Sequence, residues 1–175
     1  MKKSFLSLLS VLLVATLLVS PVSAGRGIGF SATFSLGSLI AEGFATGVGN
    51  TDVTFELTAF GPADITCINN GSNSVPGQSS PRITASGRQD VLGSDPRIKN
   101  GRTPFLTETD DPETVTWDVG GCPSPNWTGH VDFIYWTNAT ISVYATDTGA
   151  FLIKHDYVCE TTRYPEPTVS CTLVN

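Results

Sequence analysis

Apolar and polar residues alternate in a series of short segments of this chain, from residue 30 to residue 173. Side chains of an extended strand point alternately to its two faces, so this period predicts strands with one buried face and one wet face. The apolar positions of the alternating segments are Phe30, Ala32, Phe34, Leu36; Val53, Phe55, Leu57, Ala59; Ile65, Cys67; Ile83, Ala85; Val115, Trp117; Val131, Phe133, Tyr135; Ala139, Ile141, Val143; Phe151, Ile153, His155, Tyr157, Cys159; and Val169, Cys171, Leu173. No segment after residue 24 has the 3.6-residue period of an amphipathic helix. The pattern therefore predicts an all-β domain.

Glycine, proline and asparagine separate these segments at short intervals. The turn signals are Gly47 to Asn50, Gly61-Pro62, Asn70-Gly71, Pro76-Gly77, Asn100-Gly101, Gly120-Gly121 and Asp147 to Gly149. About nine or ten short strands with such spacing are typical of an antiparallel β-sandwich, and a closed β-barrel is the alternative that the sequence leaves open.

The first 24 residues have the order of a secretory signal peptide. Lys2 and Lys3 precede an apolar run, and Ala24 ends a small-residue cleavage motif. A transmembrane anchor is the alternative, but the run is shorter than the ~20 residues that a spanning helix needs. We therefore expect a helical signal peptide over residues 1–24 and a single secreted, extracellular domain over residues 25–175, without a membrane anchor after cleavage.

Charge limits the partners of this domain. Two of the chain's 10 basic residues precede the cleavage position, so residues 25–175 carry 8 basic and 16 acidic residues and a net charge of −8. Such a balance argues against nucleic acid as a partner. The basic residues are concentrated in one stretch, at Arg82, Arg88, Arg97, Lys99 and Arg102.

All four cysteines lie in the predicted exported domain, where an even number favours two disulfides over free thiols or a metal site. Three pairings are possible. Alternation places Cys159 and Cys171 on inward faces of two strands joined by an eleven-residue connection, which favours a bond between them. The remaining pair is Cys67, inward beside Ile65, and Cys122 in a glycine-proline turn.

Catalytic and metal-binding patterns are sparse. His130 and Asp132 lie two residues apart, near Ser124 and Thr128, which permits a hydrolase of the serine-histidine-aspartate type; no nucleophile-elbow motif accompanies them. The acidic stretch over residues 108–113 lacks the spacing of a known calcium loop and is interpreted as a solvated turn. We expect no cofactor and no metal, and a non-enzymatic protein in preference to an enzyme.

Aromatic residues provide the candidate binding site. Alternation places Trp136 on the wet face of its strand and leaves Trp127, beside the Cys122 turn, unassigned. It places Trp117 and Tyr135 on buried faces. Indole rings on a surface can stack on sugar rings, although core packing is the usual place for tryptophan. The sequence thus predicts an extracellular binding protein with carbohydrate or a cell-surface component as its partner. The alternatives are a self-assembling surface protein and the hydrolase described above, and the oligomeric state stays open.

Three asparagines match the N-glycosylation pattern, at Asn70, Asn126 and Asn138, and only a glycosylating host would make them relevant.

Three stretches carry a resemblance to known proteins. They are Thr66 to Gly71 with Pro76 to Gln78, Gly121 to Pro123 with Asn126 to Thr128, and the strand from Ile153 to Cys159. Together they resemble a group of small secreted bacterial proteins rich in β-structure, to which no function is assigned. The resemblance covers most of residues 25–175 and implies an exported, disulfide-bearing domain. It assigns no catalytic or ligand-binding residue.

Overall fold

The computed structural model describes residues 27–36 and 38–174, so the predicted signal peptide lies outside the described residues. The described part contains eleven strands and no helix. The strands are β1 (Gly29–Ser35), β2 (Ile40–Thr46), β3 (Val53–Asn69), β4 (Ser74–Pro76), β5 (Arg82–Val91), β6 (Arg102–Glu108), β7 (Thr114–Val115), β8 (Trp127–Ile134), β9 (Asn138–Ala145), β10 (Phe151–Thr162) and β11 (Thr168–Val174). The all-β prediction is confirmed.

The 17-residue strand β3 organises the larger of two sheets. Its first half pairs with β5 on one side and β9 on the other. Its second half pairs with β4 and β8 in the same way. Beyond β9 come β10 and β11, and beyond β8 comes β7, so that all eight strands form one antiparallel sheet.

The smaller sheet, β1-β2-β6, packs its inner face against the first half of the larger one. Phe55 of β3 stacks on Phe105 of β6 with ring centroids 4.6 Å apart, and Phe30 of β1 stacks on Phe105 at 5.2 Å. Such aromatic pairs add about 0.5–1.5 kcal/mol each beyond the area that they bury. No ladder joins the two sheets among the described residues, so the antiparallel β-sandwich is confirmed over its closed alternative.

Gly61 and Pro62, predicted to form a turn, lie instead in the middle of β3. A Cβ on Gly61 would overlap the carbonyl oxygen of Tyr135, so the glycine allows two backbones to approach closely. Pro62 is exposed and still accepts a hydrogen bond from the Tyr135 N–H (2.8 Å). The turn prediction at this dipeptide is wrong because close approach, and not chain reversal, requires the glycine.

Both predicted disulfides are confirmed. Cys159 and Cys171 are directly opposite residues of β10 and β11, and their bond closes a separation of 12 residues. Cys67 of β3 bonds to Cys122 in the loop between β7 and β8 over a separation of 55 residues. The described residues contain no free cysteine, which is the pattern of a protein from an oxidising compartment. No helix able to cross a membrane is found in the described part of the chain.

His155 of β10 extends the stack of aromatic rings, with its imidazole 4.7 Å from the ring of Phe30. The ring is packed against Phe30, but its Nε2 is buried without a hydrogen-bond partner among the described residues. Burial lowers the pKa of His155, and the neighbouring Asp156 carboxylate opposes this effect only in part.

We predict that the protein loses stability in mild acid because of His155. A pKa lower in the folded than in the unfolded chain means that unfolding takes up a proton, so the stabilisation is complete above about pH 6.5 and decreases as the pH falls below it. The variant His155→Phe keeps the ring stack and should show a flatter free energy of unfolding between pH 7.5 and 5 in urea titrations. Identical pH slopes for the variant and the wild type would contradict this assignment.

Candidate functional site

Trp117 and Trp127 line one open cleft of about 380 Å³ at the end of the larger sheet. Trp127 is the first residue of β8 and packs against the hydrophobic core. Trp117 lies in the loop after β7 with 38% of its surface exposed. Threonine hydroxyls and an apolar rim complete the lining, at Thr114, Val115, Thr116, Pro125 and Thr128. Two indole rings beside hydroxyl groups form a surface that offers both apolar contact and hydrogen bonds.

The loop that carries Trp117 is fixed by its own backbone and by a disulfide. The Cys122 N–H donates to the Trp117 carbonyl oxygen (2.7 Å), and the Gly120 N–H donates to the Thr116 carbonyl oxygen (3.0 Å). Gly121 has a φ of 65°, a left-handed conformation that favours glycine and allows this tight return. Because Cys122 is bonded to Cys67 in β3, the disulfide anchors the segment that presents Trp117 to the sheet.

A carboxylate stands beside the cleft. Thr116 Oγ1 donates a hydrogen bond to Asp118 Oδ1 (2.6 Å). This bond, together with backbone hydrogen bonds, holds the pKa of Asp118 below its usual value. Asp118 is therefore ionised at neutral pH and offers an acceptor for ligand hydroxyl groups.

Trp136 does not contribute to this surface. Only 1% of its area is exposed, so the prediction that it forms part of an exposed patch is wrong. A β-bulge explains the error. Asp64 of β3 faces Phe133 and the next residue faces Val131, so Asp132 is an extra residue that reverses the alternation of β8. Beyond the bulge the Trp136 side chain points into the core.

Tyr135 changes face for the same reason. We expected it in the core, but its hydroxyl donates to Asp64 Oδ2 (2.9 Å), which also accepts from Arg163 Nη1 (2.7 Å). The hydrogen bond to Asp64 is the main cause of a raised pKa at Tyr135. The Arg163 guanidinium lies over the rings of Phe133 and Tyr164, at 5.4 and 5.6 Å from their centroids. On this side of β8, Tyr135, Asp64 and Arg163 form one hydrogen-bonded network in which the charges of Asp64 and Arg163 are paired.

Trp117 is the site residue that alternation missed. The strand that was predicted through Val115 and Trp117 ends at Val115, and β7 has only two residues. The signal that identifies the loop is the pair Gly120-Gly121, because a reversal this close leaves no room for a longer strand.

The acidic stretch lines another open cleft, of about 690 Å³, together with Asp132. Its acidic residues are Glu108, Asp110, Asp111 and Glu113. Burial raises the pKa of Asp111, and the neighbouring carboxylates of Glu108 and Asp110 raise it further. No three acidic, histidine or cysteine side chains among the described residues converge as metal ligands would.

His130 and Asp132 do not form a hydrogen-bonded pair in the described structure. Asp132 Oδ2 accepts a hydrogen bond from Thr66 Oγ1 at 2.6 Å. Thr128, one of the two predicted nucleophile candidates, lies at the tryptophan cleft, and Ser124 lies in the loop before β8. Asp132 and Thr128 therefore line different clefts.

Asn70 and Asn126 are exposed, whereas Asn138 is partly buried in β9. Asn126 directly precedes Trp127, so a glycan there would lie beside the cleft.

Comparison with known proteins found no matching family model, no matching curated protein and no matching solved structure. The tryptophan cleft consequently has to be interpreted from its own chemistry.

Proposed function

We propose that this protein is a secreted, non-enzymatic β-sandwich that binds carbohydrate at the cleft lined by Trp117 and Trp127. The observation that supports it is the joint lining of one open cleft by two indole rings, one of them 38% exposed. When an apolar partner binds over an exposed aromatic side chain, the apolar surface of both is removed from water, which is favourable. The sequence features of an exported precursor and the two disulfides support a location outside the cell.

Sugar is the ligand chemistry that fits such a cleft. One face of a pyranose ring carries several C–H groups and packs on the electron-rich face of an indole, while its hydroxyl groups require donors and acceptors at the edge. Thr114, Thr116 and Thr128 provide hydroxyls at this position, and Asp118 provides a charged acceptor close by. A cleft of this openness suits an extended polysaccharide surface better than an enclosed small molecule.

Replacing the indoles tests the proposal. We expect Trp117→Ala and Trp127→Ala to weaken binding to the polysaccharides that the wild type retains by at least about tenfold each, because each ring supplies roughly 1.5 kcal/mol or more of stacking. Retention in affinity electrophoresis through gels containing neutral polysaccharides such as dextran, xylan and β-glucan measures this effect.

Tyr164→Ala is the matched control, since Tyr164 is 78% exposed and lies outside the cleft. Its retention should equal that of the wild type. Wild-type retention by none of the neutral polysaccharides, or equal loss in all three variants, would refute carbohydrate binding at this cleft.

A further inference from the structure

A second cleft, of about 570 Å³, lies on the outer face of the smaller sheet. Three of the eight basic residues of positions 25–175 line it, at Arg97, Lys99 and Arg102, and no acidic residue is among its described lining. Phe44 lies beneath Arg102, with the guanidinium carbon 4.6 Å from the ring centroid. In a domain with twice as many acidic as basic residues, this concentration of positive charge requires an explanation.

The turn between Lys99 and Arg102 holds two of these charges together. Asn100 and Gly101 have φ values of 54° and 70°, as the central residues of a type I′ turn require. The Lys99 and Arg102 backbones exchange both hydrogen bonds, at 3.3 and 3.0 Å, which makes them directly opposite residues. Their side chains therefore leave the same face of the turn.

Like charges placed directly opposite each other repel. Neither Lys99 nor Arg102 has a carboxylate within ion-pair distance among the described residues, so this repulsion is uncompensated within the described chain. Arg97 differs, because its Nη2 lies 2.7 Å from Asp95 Oδ2. That pair lowers the pKa of Asp95 and fixes the guanidinium at the side of the cleft.

We propose that this basic cleft binds the carboxylate or sulfate groups of an acidic polysaccharide. Lys99 and Arg102 would contact the oxyanion, with Arg97 at its side, and Phe44 and Pro104 would provide an apolar floor for the sugar ring. A polymer of phosphate fits less well, because it has no C–H face to cover the apolar floor of Phe44 and Pro104. The choice of a sugar polymer as the ligand rests on the carbohydrate binding proposed above. The preference for an oxyanion rests only on the residues of the basic cleft.

Dextran sulfate and unmodified dextran test the oxyanion with a matched sugar backbone, and polygalacturonate tests carboxylate in place of sulfate. We expect the purified protein to bind dextran sulfate, polygalacturonate or both at low ionic strength, more tightly than dextran, and to weaken as salt screens the contacts. The double variant Lys99→Gln/Arg102→Gln should weaken this binding at least tenfold in biolayer interferometry. Its unfolding temperature should stay close to that of the wild type, since both side chains are exposed.

The double variant Arg82→Gln/Lys154→Gln is the charge-matched control, because it removes two positive charges from the other sheet. It should weaken binding by less than about twofold. Equal weakening by both double variants would show attraction to the overall charge and overturn the site. Absence of binding to both acidic polysaccharides would overturn it as well, and polyphosphate binding as tight as dextran sulfate binding would overturn the sugar ligand.

Trp117→Ala separates this proposal from the previous one. Loss of neutral polysaccharide binding with retained dextran sulfate binding supports two independent sites. If the wild type binds no neutral polysaccharide but binds dextran sulfate through Lys99 and Arg102, the tryptophan proposal fails and the basic cleft stands. If Trp117→Ala abolishes dextran sulfate binding while Lys99→Gln/Arg102→Gln leaves it intact, the basic cleft is refuted.

Discussion

Removing the Cys67–Cys122 disulfide is expected to cost about 4 kcal/mol of unfolding free energy and to disrupt the tryptophan cleft at the same time. In the chain-entropy model, the cost follows from the separation of 55 residues that the bond closes in the unfolded chain. The unfolding temperature should fall by about 8–16 °C in a domain of this size. The cleft is affected because the disulfide anchors Cys122, and with it the loop that carries Trp117, to β3. Urea denaturation of Cys67→Ala/Cys122→Ala, followed by polysaccharide retention at a temperature where it is folded, measures both effects.

Cys159→Ala/Cys171→Ala is the control for this first prediction. Its bond closes only 12 residues, so the expected cost is about 3 kcal/mol, and it lies at the β10–β11 hairpin away from Trp117. It should therefore lose stability but keep polysaccharide binding. If both disulfide variants lose binding equally while folded, the special role of the Cys67–Cys122 bond in holding the Trp117 loop is wrong.

Alternation predicts the parts of this fold in which each strand has one wet face. In β9, Ala139, Ile141 and Val143 are buried while the residues between them are partly exposed. The same reasoning gave both disulfides, because Cys159 and Cys171 share the inward parity of their strands. Where the backbone is regular, sequence period and burial agree.

Two strands of the smaller sheet escaped this reasoning because their patterns are broken. In β2, the fully buried residues Ala41 and Ala45 lie on one face. Ile40 and Phe44 lie on the other face and are apolar as well, so the strand shows no alternation of apolar and polar residues. In β6, threonines occupy two buried positions, at Thr103 and Thr107. Neither hydroxyl has a hydrogen-bond partner among the described residues. A pattern based on hydrophobicity does not identify such strands.

The candidate site was predicted only in part for a related reason. Trp127, the first residue of β8, lines the cleft and also packs against the core, so its role in binding stays a prediction. Trp136 follows the bulge at Asp132, which reverses the alternation for the residues that come after it, at the end of β8 and just beyond. A bulge depends on the partner strand and leaves no mark in the local sequence, so alternation alone assigned Trp136 to the surface. Trp117 was assigned to the core for a different reason, because its strand ends at Val115 and the residue lies in the following loop.

Trp136→Ala is expected to destabilise the protein by about 3–5 kcal/mol, whereas Trp117→Ala should cost less than about 1 kcal/mol. Trp136 is among the largest fully buried side chains, and its removal leaves a cavity at the junction of β8 and β9 that rigid neighbouring strands cannot fill. Trp117 is 38% exposed, and its loop is held by backbone hydrogen bonds that alanine preserves. The two substitutions remove the same atoms, so the difference between their unfolding free energies measures the effect of burial.

Urea denaturation measures these free energies. Acrylamide quenching of the remaining indoles provides an independent check, since loss of Trp117 should reduce the quenchable fluorescence and loss of Trp136 should not. Equal destabilisation by both variants would contradict the reversed alternation beyond Asp132.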